Sequence, residues 1–342
     1  MAGLKRLRIG THDGTFHCDE ALACFLLRRL PEYQDAEIVR TRDPKVLAEC
    51  DVVVDVGGVY DPAKHRYDHH QRSFSESMSS LRPGSGWVTK LSSAGLVYHH
   101  FGRRILAQLL QTDWTDRRLD VLQDKLYENF VEEIDAIDNG ISQCDAEPRY
   151  NVTTNLSSRV ARLNPTWNAE CQDTEVGFAR ALQLVGSEFL DRLGYYHRSW
   201  LPARALIEGA VRGRYEEDPS GEIIVLAKGG CPWKEHLFEL EKELRVDKPI
   251  KFVLYPDQRD QWRVQCVPQG LATFQNRLSL MESWRGLRDD QLSAASGIAG
   301  CVFVHANGFI GGNATKEGAL EMARVTLDWA SAVNGTPESE LS

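Results

Sequence analysis

Two short stretches carry most of the chemistry-capable side chains of this chain: THDGTFHCDE at 11–20 and RYDHHQRSF at 66–74. The second places Asp68, His69 and His70 side by side. Neighbouring residues point to opposite faces of a strand and do not share one face of a helix, so no regular element turns all three toward one ion. A solvated histidine-rich loop is the plain reading, and a metal or catalytic site is the sharp one. Other segments bear on the choice. His12, His17 and Asp19 follow a short apolar run, Asp55 ends the run DVVVDV, and Asp135 and Asp138 precede Asn139-Gly140. Taken singly, Asp19 fits a helix cap, Asp13 a turn, and each histidine a surface position. Asp55 is harder to set aside, because a carboxylate at the end of a β-branched run is costly to bury without a cation or donors.

Together these residues form a ligand set of carboxylate and imidazole without thiolate. Such a set suits manganese and tolerates magnesium, zinc, iron or cobalt. It offers more ligands than one ion needs and matches a pair of Mn2+ ions, which activate water and clamp the attacking and leaving oxygens of a phosphoryl group. The sequence contains neither a Walker A loop nor a GxSxG elbow, so the chemistry read here needs no nucleotide loop and no nucleophilic serine.

The elements that must position these side chains are legible from pattern. Residues 7–11 and 36–41 read as strands, 20–30 as a helix, and 43–50 as a short helix with Asp43 as cap and Pro44 at its first position. The run 52–58 reads as a strand buried on both faces. Strand and helix alternate here, which predicts an α/β unit with a parallel sheet, whose ligands lie beyond the carboxyl ends of the strands. Helices are expected at 92–110, 122–140 and 174–200. A change of texture between 195 and 215 divides the chain into a catalytic domain 1–200 and a smaller α+β domain 201–334, joined by the long helix, with a flexible tail 335–342. In the second domain, strands are expected at 222–227, 250–255, 261–267 and 301–305, with helices near 233–244, 287–295 and 315–333.

With 342 residues the chain is longer than one core usually serves. The formal charge of -9 argues against a protein that coats nucleic acid through a broad basic face, though not against a local groove. Eight cysteines without a CxxC pair argue against a zinc ribbon or disulfide scaffold and fit a reducing, intracellular compartment. No apolar run is long enough for a membrane span. The opening MAGLKRLRIG is too short for a signal or transit peptide ahead of the first strand.

The set Asp68-His69-His70, with a His/Asp motif after the first strand and aspartates after later elements, resembles the DHH phosphoesterase superfamily. The segments GTHDGTFHCDEALA, VVVDVGG, RYDHHQRSF, KLSSAGLVY, FVEEIDAIDNGI, RLNPTWN, CPWKEHL and FIGGNATKEGA resemble, over nearly the whole chain, the melanocyte-proliferating-gene family. That resemblance implies a 3′-to-5′ RNA exonuclease of nucleus and mitochondrion, with RNA or short oligonucleotides as substrate. It implies metal ligation by His12, His17, Asp19, Asp55, Asp68 and His69, with Asp55 bridging two ions or ligating one. His17 stands where many DHH enzymes have an aspartate. Asp68, His69 and His70 are the catalytic triplet, with His70 on the substrate phosphate. For the last motif Asp135 and Asp138 both remain candidates, and the DNG context favours Asp138. The resemblance also implies a substrate loop in the second domain, here Gly311, Gly312 and Lys316 with His305 just before it. Trp233 with Lys234, and Trp284 with Arg285 and Arg288, offer base-stacking contacts or ordinary core residues. The alternatives to a nuclease are a phosphohydrolase of small molecules, such as a pyrophosphatase or nucleotide phosphatase, and a metal-binding scaffold without turnover.

Overall fold

The computed structural model describes residues 6–335, with side chains of the last helix described as far as 333. All but the first residue of the expected tail 335–342 therefore lies outside the described residues. The chain divides into two compact units, Met1–Tyr196 and His197–Ser342, each with its own sheet.

The first unit contains strands β1 (Arg8–Thr11), β2 (Glu37–Arg40), β3 (Val52–Val54), β4 (Tyr60–Asp61) and β5 (Arg66–Tyr67), in the order β2-β1-β3-β5-β4. β2, β1, β3 and β5 run parallel, and β4 pairs antiparallel with β5, so the sheet is mixed rather than wholly parallel. Its helices are α1 (Cys18–Leu27), α2 (Pro44–Ala48), α3 (Met78–Leu81), α4 (Ser93–Leu110), α5 (Arg118–Leu126), α6 (Glu132–Asp138), α7 (Leu156–Ala161) and α8 (Glu175–Tyr195). The cap expected at α2 is present, with Asp43 accepting from the Lys45 amide at 2.8 Å. The expected helix at 122–140 is present as one continuous helical run, α5 and α6 joined through a π-turn over Tyr127–Val131.

Helix α1 is the centre of this unit. All ten of its residues are buried, including Asp19 and Glu20. It packs against α4 and α8 as well as the sheet, so no face is left for solvent. Leu22, Leu26 and Leu27 have no exposed surface, and each such side chain contributes roughly 2 kcal/mol of apolar burial. Two buried carboxylates at the head of so apolar a helix must have specific partners. Gly10 lets α2 approach β1, since a side chain there would press on Leu47 and Cys50.

The second unit holds β6 (Ile223–Val225), β7 (Phe252–Pro256), β8 (Trp262–Cys266), β9 (Cys301–Val304) and β10 (Ile310–Asn313), in the order β6-β7-β8-β10-β9. Only β6 and β7 pair in parallel. Its helices are α9 (Leu201–Arg212), α10 (Arg214–Glu217), α11 (Trp233–Glu243), α12 (Asp289–Ser296) and α13 (Lys316–Gly335). One expectation changes here and one alternative is decided. Gly311 and Gly312 lie in β10 between β8 and β9, buried in a strand rather than exposed in a loop. Their lack of side chains makes room for Leu280 and Met322 on one and for Arg263 on the other. Trp233 and Trp284 are core residues, 5% and 1% exposed, and do not offer a face for a base. Lys316 pairs with Glu217 at 2.7 Å, and exposed His305 lies tilted against Phe309 and accepts from the Asn307 amide. All eight cysteines are unpaired.

Candidate metal centre

Three parallel strands deliver the centre at their carboxyl ends. β1 leads directly into His12, β3 into Asp55, and β5 into Asp68-His69-His70. Asp19 and Glu20 come from the first turn of α1, and Asp138 is the last residue of α6. Asp55 has a left-handed backbone, φ 58°, a conformation that Asp and Asn adopt far more readily than other non-glycine residues. Strain of this kind persists where surrounding contacts hold it, and it clusters at functional sites.

The side chains converge in three groups: His12, His17, Glu20 and Asp55; Asp55, His69 and His70; and Asp19, His69 and Asp138. Asp55 is shared by the first two and His69 by the last two. His12 Nε2 lies 3.4 Å from Asp55 Oδ2 and 3.1 Å from Glu20 Oε1. His69 Nε2 lies 3.1 Å from Asp138 Oδ2, 3.3 Å from Asp55 Oδ1 and 3.5 Å from Asp19 Oδ2. The two oxygens of Asp55 thus face different imidazoles. The groups open on a cavity of about 600 Å³, lined by Asp19, Asp55, Asp68, Asp138 and Arg42 among others.

Supporting contacts fix these ligands. His12 Nδ1 donates to the Asp13 carbonyl at 3.0 Å, which directs Nε2 into the group. His69 Nδ1 faces Asn139 Oδ1 at 3.3 Å, and Asn139 Nδ2 is tied to the Lys90 and Asp135 carbonyls. Asp19 accepts from the hydroxyl of Ser92 and the amides of Ser93 and Ala94 at the head of α4. Asp135 accepts from Ser92 N and Tyr127 Oη and lies 2.7 Å from the same Ser92 Oγ, whose single proton serves either Asp19 or Asp135; it stands beneath the centre rather than in it. Of the two candidates in the last motif, Asp138 is the one beside His69. Asp68 lines the cavity but belongs to none of the three groups. One of its oxygens takes the Gly58 amide, and the other takes the amide and Nδ1 of His70, the latter at 2.8 Å.

Sequence pattern does not mark Glu20, Ser92 or Asn139. Glu20 sits three residues after His17 and accepts its amide. That is the pattern of a capping box, which by itself masks any second role. Ser92 and Asn139 act only through a neighbour, so only their place in long motifs could have pointed to them.

Two buried atoms test whether the donor set fits a cation. Asp55 Oδ1 and His69 Nε2 are shielded from solvent, and neither makes a well-directed hydrogen bond. They nevertheless face each other at 3.3 Å. Buried polar atoms without partners are costly, and a divalent ion between carboxylate and imidazole lone pairs satisfies both. In the metal-free protein a proton on the imidazole serves instead. Burial pushes His12 and His69 down, but the acids around them outweigh it. Asp55 and Glu20 raise His12 to about 10, and Asp138 and Asp55 raise His69 to about 11. Burial and repulsion from Asp55 and Asp138 push Asp19 well up, while His12 and His69 overcome burial to hold Asp55 well below the ordinary range.

A pH dependence follows. Each imidazole has its folded-state pKa raised above the unfolded value near 6.5, so its contribution to metal-free stability is fully present below that value. It is lost as pH rises through about 10 for His12 and about 11 for His69. Metal competes with those protons. At pH 8 manganese binding should release protons, and apparent affinity should rise with pH. Calorimetric titration in two buffers of different ionisation enthalpy measures the release; identical observed heats in the two buffers would contradict it. Orientation of His69 gives a second expectation. Asn139→Ala should lower manganese affinity about 10–100-fold, the usual effect of losing a group that orients a metal-bound histidine, and unchanged affinity in the same titration would refute that role.

Comparison with known proteins agrees with the motifs. A family model, MYG1_exonuc, described as an uncharacterised protein family (UPF0160), matches residues 8–327. The chain belongs to the MYG1 family. This is the melanocyte-proliferating-gene family expected from the sequence. The human protein named MYG1 exonuclease is 67% identical over 94% of this chain and 85% of its own length. The mouse MYG1 exonuclease is 68% identical over 94% and 84%. The MYG1 protein of Saccharomyces cerevisiae is 45% identical over 96% and 100%. An exopolyphosphatase-related protein from Bacteroides fragilis aligns with 96% of this chain and 93% of its own at 12% identity, but its TM-score of 0.22 is too low to bear on the MYG1 fold.

Proposed function

We propose that this chain is a metal-dependent phosphodiesterase that removes nucleotides from the 3′ end of RNA or short oligonucleotides. The observation that carries the proposal is the convergence of acids and imidazoles from three strand ends and two helices on one cavity, with the buried atoms Asp55 Oδ1 and His69 Nε2 facing each other without a well-directed hydrogen bond. The exonuclease names of the mammalian relatives support the same reading.

His12, His17, Glu20 and Asp55 would hold one divalent ion, and Asp19, His69 and Asp138 a second, with Asp55 placed between them. When bound, such ions supply Lewis acidity at phosphorus and make water a better nucleophile. The chain's own residues do the rest. Asp68 accepts the His70 Nδ1 proton at 2.8 Å, and this pairing raises the His70 pKa against its partial burial. His70 lines the cavity wall, and in its doubly protonated form it can donate its second N–H to a phosphate oxygen. Gly58, whose amide is bound by Asp68, fixes the turn that carries that wall. Manganese as the ion, and nuclear and mitochondrial residence, belong to the same proposal.

The test is degradation of end-labelled RNA with manganese, with magnesium and with chelator. The proposal expects a mononucleotide ladder shortening from the 3′ end, abolished by chelator. Turnover of pyrophosphate or mononucleotides with no preference for polymer ends would replace it with a small-molecule hydrolase. Tight metal binding without turnover of any of these would leave a scaffold.

A further inference from the structure

The cavity has four carboxylates on its wall, and among its described lining residues Arg42 is the only permanently charged cation. Arg42 and Arg40 leave the same end of β2, and the contrast between them is informative. The Arg40 side chain is 3% exposed and serves the fold. Its nitrogens bond Thr174, Glu175 and the Gly14 carbonyl, and its guanidinium lies over Phe178 at 4.6 Å. Arg42 is 64% exposed. Its Nε lies 3.2 Å from Asp13 Oδ1, and its Nη2 points at the Asp13 carbonyl at 3.4 Å. Both contacts use the side edge of the guanidinium. The end edge, Nη1 with Nη2, has no other protein partner among the described residues. A planar fork held from the side and open at its end matches the geometry of a phosphate.

The anchor is also shared. The Asp13 carbonyl that faces Arg42 is the one that takes the His12 Nδ1 proton. A single peptide group therefore sets the position of the cation at the mouth and of an imidazole in the centre. An exposed pair of this kind contributes little to stability, about 0–1 kcal/mol, so a folding role does not account for it.

We propose that Arg42 binds a phosphate of single-stranded RNA next to the one being cleaved, and so makes the site prefer a strand to a mononucleotide. This rests on the nuclease reading above. Only the scissile phosphate can reach the acids and imidazoles, and a polyanion entering a cavity walled by carboxylates needs a counter-charge for its neighbouring phosphate.

The experiment uses the full chain and compares wild type with Arg42→Gln and Arg42→Lys. Binding of fluorescein-labelled oligoribonucleotides of two, three, five and ten nucleotides is followed by anisotropy over a salt series, in chelator and in manganese. Arg42→Gln should weaken binding of the longer strands about tenfold, and flatten the plot of log affinity against log salt by about 0.7, the share of one phosphate contact on a single strand. Arg42→Lys should restore the salt slope but only part of the affinity. With cleavable RNA the loss should appear in KM rather than kcat. Melting temperatures should agree within about 2 °C, as expected for an exposed pair. Equal affinity and equal slope for wild type and Arg42→Gln overturn the inference, as does a loss that tracks a drop in melting temperature. Arg42-dependent binding without any hydrolysis would uphold the contact and overturn only the catalytic reading.

Discussion

Asp55→Asn should reduce metal-dependent hydrolysis by about 10³-fold or more, because it neutralises the one acid common to both imidazole clusters and weakens whatever ions the cluster holds. The choice of asparagine matters. Asp55 occupies a left-handed backbone at φ 58°, and asparagine tolerates that region nearly as well, so the fold should survive. Asp55→Ala adds backbone strain of about 1–2 kcal/mol and confounds the comparison. Removing the charge also releases His12 and His69, whose pKa values Asp55 helps to raise. Both should titrate lower in the variant, a shift visible in the imidazole resonances of the metal-free protein. Full activity with manganese in Asp55→Asn would show that the cluster is not the catalytic centre.

Gly95→Ala should destabilise the protein by about 2–4 kcal/mol, against the sign of helix propensity. Within a helix alanine is favoured over glycine by about 1 kcal/mol, so local preference alone predicts a gain in α4. The structure predicts the reverse, because a methyl group at Gly95 would overlap the Asp135 carboxylate. That carboxylate cannot step aside without giving up Ser92 N at 2.9 Å, Ser92 Oγ at 2.7 Å and Tyr127 Oη at 3.1 Å. Burial raises its pKa to about 7, partly opposed by these donors, so losing them leaves a buried acid unsupported. Because Ser92 also holds Asp19, manganese affinity should fall with stability. Gly209 in α9 is the control: nothing lies within reach of an added methyl there, and Gly209→Ala should stabilise by about 0.5–1 kcal/mol. Chemical denaturation compares the two, and a Gly95→Ala variant as stable as wild type would show that α4 and α6 can part without cost.

Much of the first unit could be read from residues alone, for identifiable reasons. β1 and β3 are apolar runs broken by polar residues at their ends, and the αβ alternation sets the strands parallel, so His12 and Asp55 had to meet at one edge. β5 could not be read: two residues are too few for any periodicity, and its existence depends on pairing with β3 and β4. Yet it is β5 that carries Asp68-His69-His70 to the same edge. The π-turn between α5 and α6 was invisible because it keeps the apolar stripe intact. Gly311-Gly312 misled because a glycine pair ordinarily marks a turn, whereas here it relieves crowding between a strand and its neighbours. The separation of Asp135 from Asp138 is a matter of three residues on one helix, and only tertiary contacts distinguish the acid beside His69 from the one beneath it.

The grip of α4 on Asp19 limits which ions the centre can accommodate. A carboxylate has about four acceptor positions. With the Ser92 hydroxyl turned to Asp19 rather than Asp135, Ser92 Oγ and the Ala94 amide saturate Oδ1 of Asp19, and the Ser93 amide takes one position on Oδ2. In that arrangement one lone pair remains, and Asp19 offers a single oxygen rather than a chelating pair. Calcium, which prefers many oxygens and often a two-toothed carboxylate, would find a poor seat. A compact six-coordinate ion would lose nothing by it, so the head of a helix would act as a size filter.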